Sequence, residues 1–225
     1  MKNPTLLKEM LDYRGRDEMP DDFDTFWNKQ VAEVEVPQDY QLLEKDFQIA
    51  YATCYELTFK SGNSGQIYAK LVVPKLSEKV PVLFHFHGYM GQGWDWADML
   101  AYTAAGWGVV SMDVRGQSGY SLDGNREVRG NTVKGHIIRG ALDGPDQLFF
   151  KDVYQDVYTW VELVAGLDFV DENRLSSFGG SQGGALALVA AALNSRIKQT
   201  VAIYPFLADF RRVLEIGNTS EAYDE

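Results

Sequence analysis

The sequence is poor in the residues that bind metals or cross-link small folds. It has one cysteine and three histidines in 225 residues, which excludes an intrachain disulfide framework and a cysteine metal cluster. Cys54 lies in an alternating apolar run, so we expect it to be a small buried residue. His85 and His87 form a His-x-His pair, but no third ligand accompanies them. We therefore expect no metal and no other cofactor.

Long apolar runs and an excess of positive charge are also lacking. No apolar run approaches the roughly 20 residues that span a membrane, and the N-terminus has no signal-peptide core. We therefore expect a cytoplasmic protein with no membrane partner. Lysine and arginine number 21 against 32 aspartates and glutamates, for a net charge of −11. This balance argues against a nucleic-acid partner, because phosphates require a basic surface.

The composition is that of an ordinary globular protein, with 45% hydrophobic and 24% charged residues. We expect one domain over residues 1–225, with residues 1–50 as a helical N-terminal extension. The alternating runs CYELTFK and QIYAKLVVP, joined by SGNSG, predict an antiparallel hairpin at the edge of a sheet. A long polar segment at about residues 118–150 reads as an insertion.

After this hairpin, short apolar runs alternate with helical patterns. VPVLFHF (80–86), WGVVSMDV (107–114), RLSSFGG (174–180) and TVAIYP (200–205) are separated by sequences of helical periodicity. Buried strands that alternate with helices are typical of βαβ units. The fold class is therefore α/β: a mostly parallel sheet with helices on both faces.

One serine stands between glycines where such a strand meets such a helix. GGSQG, at residues 179–183, matches the pattern G-x-S-x-G, in which a tight strand-to-helix turn exposes a nucleophilic serine at the carboxyl end of the sheet. Flanking glycines relieve the crowding of that turn. We interpret Ser181 as a nucleophile. The alternative is a glycine-rich βα turn in which Ser181 only caps the helix.

A second glycine-rich turn, HFHGYMGQG (85–93), follows the first buried strand. An α/β-hydrolase takes one oxyanion N–H from this position and another from the residue after the nucleophile. We expect the donors to be the backbone N–H groups of Tyr89 and Gln182. A hydrogen-bonding role that shapes the loop is the preferred interpretation of His87, and a structural one that of His85. His136 could act as a base only if the insertion folded over Ser181.

These motifs, taken in order, resemble those of the cephalosporin-C deacetylase and acetyl xylan esterase family, known as carbohydrate esterase family 7. PDDFDTFW (20–27), HGYMG (87–91), DVRGQSG (113–119) and GGSQGG (179–184) carry the resemblance. It implies an α/β-hydrolase fold and a serine esterase that acts through an acyl-serine intermediate. The implied substrates are small acetylated molecules such as acetylated xylo-oligosaccharides and cephalosporin C. It also implies a homo-oligomer, a ring-like hexamer, with contacts through the insertion.

The resemblance also assigns residues. It implies that Ser181 accepts the acyl group, that Tyr89 and Gln182 donate N–H groups, and that Arg115 and Gln117 belong to a buried network beside the nucleophile. Physically, a buried Arg115 needs a carboxylate or carbonyl partner; the alternative is a solvated loop arginine. Asp113, at the end of its strand, is expected to be structural.

The sequence departs from the family in one respect. In this fold the triad acid and histidine follow the serine along the chain, yet no histidine follows Ser181. We expect a C-terminally shortened chain that lacks the last strands of the sheet and the triad acid and histidine, and that is almost inactive alone. Two alternatives remain open: a different α/β-hydrolase esterase or peptidase, and a non-catalytic binding or assembly protein of the same fold.

Overall fold

The computed structural model describes residues 4–124, 136–206 and 208–215. These residues form seven strands and six α-helices. The strands are β1 (Gln41–Lys45), β2 (Ala52–Ser61), β3 (Gly65–Pro74), β4 (Val80–Phe86), β5 (Gly108–Met112), β6 (Val170–Gly180) and β7 (Ile197–Ile203). The helices are α1 (Pro4–Asp12), α2 (Phe23–Ala32), α3 (Trp96–Ala104), α4 (Phe149–Ala165), α5 (Gln182–Leu193) and α6 (Phe210–Glu215). None of the helices in these ranges has the length and apolar character of a membrane span.

All seven strands belong to one sheet, in the order β1-β2-β3-β5-β4-β6-β7. The pairs β5–β4, β4–β6 and β6–β7 are parallel, whereas β1, β2 and β3 form an antiparallel meander that joins β5 through β3. The predicted hairpin is therefore confirmed as β2 and β3. It lies in the antiparallel edge region of the sheet, as predicted, and β1 adds one further antiparallel strand outside β2.

The central strands are buried because helices cover both faces of the sheet. Every residue of β5 is buried, as a parallel strand between two helical layers requires. On α4, the apolar face carries Val153, Val157, Trp160 and Val164 into the main core, where the Trp160 ring meets Phe84 edge-on at 4.9 Å. The predicted α/β class is confirmed. Part of the predicted insertion, residues 125–135, lies outside the described residues.

The parallel arrangement brings three connections to the same end of the sheet. The segments after β4, β5 and β6 all leave from the carboxyl ends of neighbouring parallel strands. They are the segments that carry the HGYMG, DVRGQ and GGSQGG motifs. Active sites of α/β sheets lie at this end.

Candidate active site

Ser181 occupies the sharp turn between β6 and α5. Its backbone has φ 56° and ψ −123°, a conformation that costs a residue with a side chain on the order of 1–3 kcal/mol. Three backbone hydrogen bonds hold it. The Ser181 N–H donates to the Ile203 carbonyl at 3.0 Å, and the Ser181 carbonyl accepts the Phe206 N–H at 2.9 Å and the Ala185 N–H at 3.2 Å. Ser181 is the N-cap residue of α5, but its side chain makes no capping hydrogen bond.

The outer glycines of the motif are required for space. A Cβ on Gly183 would lie 2.0 Å from the Phe86 carbonyl oxygen, and one on Gly179 would lie 2.3 Å from the Gly183 backbone. A Cβ on Gly180 would meet only the Tyr204 ring, at an ordinary 3.6 Å. The turn around Ser181 is therefore packed tightly against the end of β4, and Gly179 and Gly183 relieve the crowding, as expected of flanking glycines.

His87 shapes the loop that follows β4. Its Nε2 accepts a hydrogen bond from the Val114 N–H at 2.9 Å, so its proton is on Nδ1, which lies 2.7 Å from the Gly88 carbonyl. Burial lowers the pKa of His87 and keeps the ring neutral. Both ring nitrogens are thus committed to backbone groups. The predicted loop-shaping role is confirmed.

His85 belongs to the core. Its Nδ1 lies 2.8 Å from the Ser111 Oγ, and its ring stacks on Trp94 at a centroid distance of 3.8 Å. Burial, with a smaller effect of the neighbouring His87, lowers its pKa to about 3. The structural role predicted for His85 is confirmed, and the half-buried Trp94 packs beside it.

The turn at residues 88–91 presents the candidate oxyanion donor Tyr89. The Gly91 N–H donates to the Gly88 carbonyl at 3.0 Å, and Met90 has a left-handed φ of 62°. The Met90 N–H donates to Gln117 Oε1 at 2.9 Å. The Met90 amide is thus committed to Gln117, and Tyr89 stays the donor that the sequence predicts for this turn.

Gln117 connects this turn to the nucleophile. Gln117 Nε2 donates to Gln182 Oε1 at 2.6 Å, Gln182 Nε2 donates back to Gln117 Oε1 at 3.1 Å, and both side chains are buried. Gln182 is the first residue of α5, where a backbone N–H has no intrahelical acceptor. That N–H and the positive end of the helix dipole both suit a developing oxyanion.

Arg115 is fully buried and forms a two-pronged ion pair with Asp156 of α4. Its Nε donates to Asp156 Oδ2 at 2.6 Å, and a terminal NH₂ donates to Asp156 Oδ1 at 2.5 Å and to the Gly62 carbonyl at 2.9 Å. The alternative of a solvated arginine is wrong. These contacts join the loop after β5 to α4 and the β2–β3 turn. Among the described residues, Gln117 contacts the nucleophile's turn and Arg115 does not.

His136 packs behind the site. Its ring lies 4.2 Å from the Phe149 ring and 6.4 Å from the Tyr89 ring, centroid to centroid, and it rests against Gly116. Among the described residues, neither ring nitrogen has a hydrogen-bond partner. Burial, then the charge of Arg139, lowers its pKa to about 4.

None of the three histidines hydrogen-bonds Ser181 within the described ranges. In the same ranges, no group of three or more histidine, cysteine, aspartate or glutamate residues could hold a metal ion.

Asp113 and Asp156 have structural roles beside the site, and the sequence indicated only that of Asp113. Asp113 accepts the Gly93 N–H on Oδ1 at 2.6 Å and the Tyr120 N–H on Oδ2 at 2.8 Å, which confirms its structural role. Asp156 was missed, although it falls on the apolar face of α4. A carboxylate at such a position signals a buried cationic partner.

Comparison with known proteins places these features in one family. All 225 residues match the model of the acetyl xylan esterase family, AXE1. An acetyl esterase of Xylanibacter ruminicola is 30% identical over 203 residues, which are 87% of this chain and 46% of that protein. The chain therefore spans about half the length of this curated relative.

Two solved structures are similar over nearly the whole chain. Acetyl xylan esterase 1 from a Thermoanaerobacterium species is 42% identical, with a TM-score of 0.89, over 96% of this chain and 68% of its own. An acetyl xylan esterase from Paenibacillus sp. R4 is 30% identical, with a TM-score of 0.86, over 97% of this chain and 70% of its own.

Proposed function

The chain belongs to the acetyl xylan esterase family, and from that membership we propose that it is the nucleophile-bearing part of a serine esterase that removes acetyl groups. One observation carries the proposal. Ser181 adopts a strained backbone conformation at the junction of β6 and α5, and the Gln117–Gln182 pair ties this junction to the turn that contains Tyr89. Strain of this kind persists only where packing enforces it, and it is common at active sites.

The proposed reaction is acyl transfer. Ser181 Oγ attacks the carbonyl carbon of an acetyl ester, and the carbonyl electron pair moves onto the oxygen. The backbone N–H groups of Tyr89 and Gln182 stabilise that oxyanion. Its collapse expels the alcohol and leaves acetyl-Ser181, which water then hydrolyses to acetate.

The proton of Ser181 Oγ needs an acceptor, and the three histidines do not serve. His85 is buried with its Nδ1 against Ser111 Oγ and its ring stacked on Trp94. His87 accepts the Val114 N–H on Nε2, and His136 packs against Tyr89 with a pKa of about 4. We therefore infer that the general base comes from outside these 225 residues. Without it, acyl transfer by Ser181 should fall by several orders of magnitude.

The proposed substrates are small acetylated molecules. The similar proteins are named as acetyl and acetyl xylan esterases, which supports acetylated xylo-oligosaccharides. Cephalosporin C follows from the sequence resemblance alone. A small acyl pocket should reject butyryl and longer esters, so a series of p-nitrophenyl esters distinguishes an acetylesterase from a longer-acyl esterase. The ring-like homo-oligomer and the cytoplasmic location also stay proposals, which sedimentation and cell fractionation would test.

The test compares two lengths of the chain. We expect p-nitrophenyl acetate hydrolysis to be almost absent in the 225-residue polypeptide and robust in a polypeptide extended to the length of the solved relatives. Ser181→Ala should abolish the activity of the extended form. Robust, Ser181-dependent activity in the short form would overturn the inference about the base. Inactivity of both forms, with retained binding of acetylated sugars, would favour a binding protein.

A further inference from the structure

The turn at residues 88–91 is held by more than Gln117. We propose that Ser118 is a positioning residue of the oxyanion site and that Asp113 assists it by hydrogen bonds to the same two loops. The proposal rests on the function proposed above. Neither residue would touch the substrate. Each would act by fixing the backbone from which Tyr89 donates.

The Met90 backbone makes the hydrogen bonds that hold the turn. Its N–H donates to Gln117 Oε1 at 2.9 Å, and its carbonyl accepts the Ser118 hydroxyl at 2.9 Å. Met90 is also one of the non-glycine residues with positive φ, at 62°. A residue with a side chain pays for that conformation, so the turn stays in this geometry only while its neighbours hold it.

The Tyr89 backbone is coupled to these hydrogen bonds through the turn. It lies between Gly88 and Met90, and the Gly91 N–H closes the turn onto the Gly88 carbonyl at 3.0 Å. The Met90 carbonyl and the Gly91 N–H belong to one peptide group, and the Gly88 carbonyl and the Tyr89 N–H belong to another. Because the Gly91–Gly88 hydrogen bond joins the two groups, rotation of the peptide that Ser118 holds shifts the peptide that carries the Tyr89 N–H. Oxyanion stabilisation depends steeply on that aim, because a donor must lie at hydrogen-bond distance from the oxygen of the transition state.

Asp113 holds the loop after β4, which contains Met90, and the loop after β5, which contains Ser118. Its buried carboxylate accepts the Gly93 N–H, three residues after Met90, and the Tyr120 N–H, two residues after Ser118. The two loops thus meet at Asp113 on one side and at Met90 on the other. This closed ring of hydrogen bonds links β5 to the turn and needs no contact with Ser181 itself.

The loss of the Ser118 hydroxyl should affect the reaction more than the fold. Ser118 is half-buried and the Met90 side chain is 51% exposed, so water can satisfy the Met90 carbonyl when the hydroxyl is removed. The loss of a whole oxyanion donor costs roughly 100- to 1,000-fold in kcat. Here the Tyr89 N–H stays in place but is held less rigidly, so we expect a smaller loss in kcat, roughly tenfold.

The experiment uses the extended, active polypeptide and measures kcat and KM for p-nitrophenyl acetate. Ser118→Ala should lower kcat roughly tenfold with KM almost unchanged, and Ser118→Thr, which keeps the hydroxyl, should recover most of it. The control is Thr159→Val, which removes a comparable hydroxyl-to-carbonyl bond, 2.8 Å long, on α4. It should leave kcat unchanged.

Two results would overturn the proposal: a Ser118→Ala kcat equal to that of the parent, or an equal fall in the Thr159→Val control. An inactive parent would instead refute the proposed function. In that event, hydrogen exchange of the Met90 amide in the 225-residue chain still decides the positioning role. Ser118→Ala should accelerate this exchange roughly tenfold, because the turn opens more often, and an unchanged rate contradicts the proposal.

Discussion

Replacement of Ser181 by glycine should stabilise the protein while destroying its nucleophile. The Ser181 backbone, at φ 56° and ψ −123°, stores on the order of 1–3 kcal/mol, and glycine adopts this conformation without that cost. Against this gain stands the greater freedom of glycine in the unfolded chain, about 0.4–1 kcal/mol. The net stabilisation should be about 1 kcal/mol, or roughly 2–4 °C in Tm for a chain of this size.

Ser181→Ala separates the strain from the hydroxyl. Alanine keeps a Cβ and therefore the strain, and the serine side chain makes no capping bond that would be lost. We expect its free energy of unfolding to stay within about 0.5 kcal/mol of the parent. Ser176→Gly provides a second comparison, since Ser176 lies inside β6, where glycine should destabilise by roughly 0.5–1 kcal/mol.

The assay is urea unfolding of the 225-residue chain at pH 7, followed by circular dichroism. The order of stability should be Ser181→Gly above the parent, Ser181→Ala close to the parent, and Ser176→Gly below it. If Ser181→Gly is no more stable than Ser181→Ala, the turn stores no backbone strain and the reasoning is refuted.

Three further perturbations test the packing around the site. Gly183→Ala should destabilise by about 2–3 kcal/mol, although alanine is the better helix former, because its Cβ would meet the Phe86 carbonyl at 2.0 Å; urea unfolding measures this loss. Arg115→Met should cost about 3–5 kcal/mol by leaving the Asp156 carboxylate buried without its partner, and Arg115→Met combined with Asp156→Leu should recover most of it. His136 has a pKa lowered from 6.5 to about 4, so the unfolded chain binds its proton first as the pH falls. The free energy of unfolding is therefore not reduced by His136 above pH 6.5, and it falls by about 3 kcal/mol as the pH drops to 4. His136→Leu should remove that part of the pH dependence of urea unfolding.

Much of the fold could be predicted because its central elements are buried on both faces. The apolar run at residues 80–86 coincides with β4, and the sequence of helical periodicity between the runs at 174–180 and 200–205 contains α5. β1 was missed for the opposite reason. It is an edge strand whose residues are exposed or half-buried, so its sequence QLLEK carries no clear alternation of apolar and polar residues.

The candidate site could be predicted only as separate motifs. GGSQGG and HGYMG indicate local turns, and local turns follow from glycine positions. The pairing of Gln117 with Gln182, or of Arg115 with Asp156, joins residues 65 and 41 positions apart. No periodicity encodes such contacts, because they arise when parallel strands bring their carboxyl ends together.

The central claim is that Ser181 is the residue that accepts the acyl group, and mass spectrometry can test it directly. The extended polypeptide would be mixed with p-nitrophenyl acetate, quenched with acid during the first turnover and digested. The account predicts an acetyl group on the peptide that contains Ser181, absent from the Ser181→Ala variant. Turnover with no acetyl-Ser181, or with the acetyl group on another residue, would contradict it.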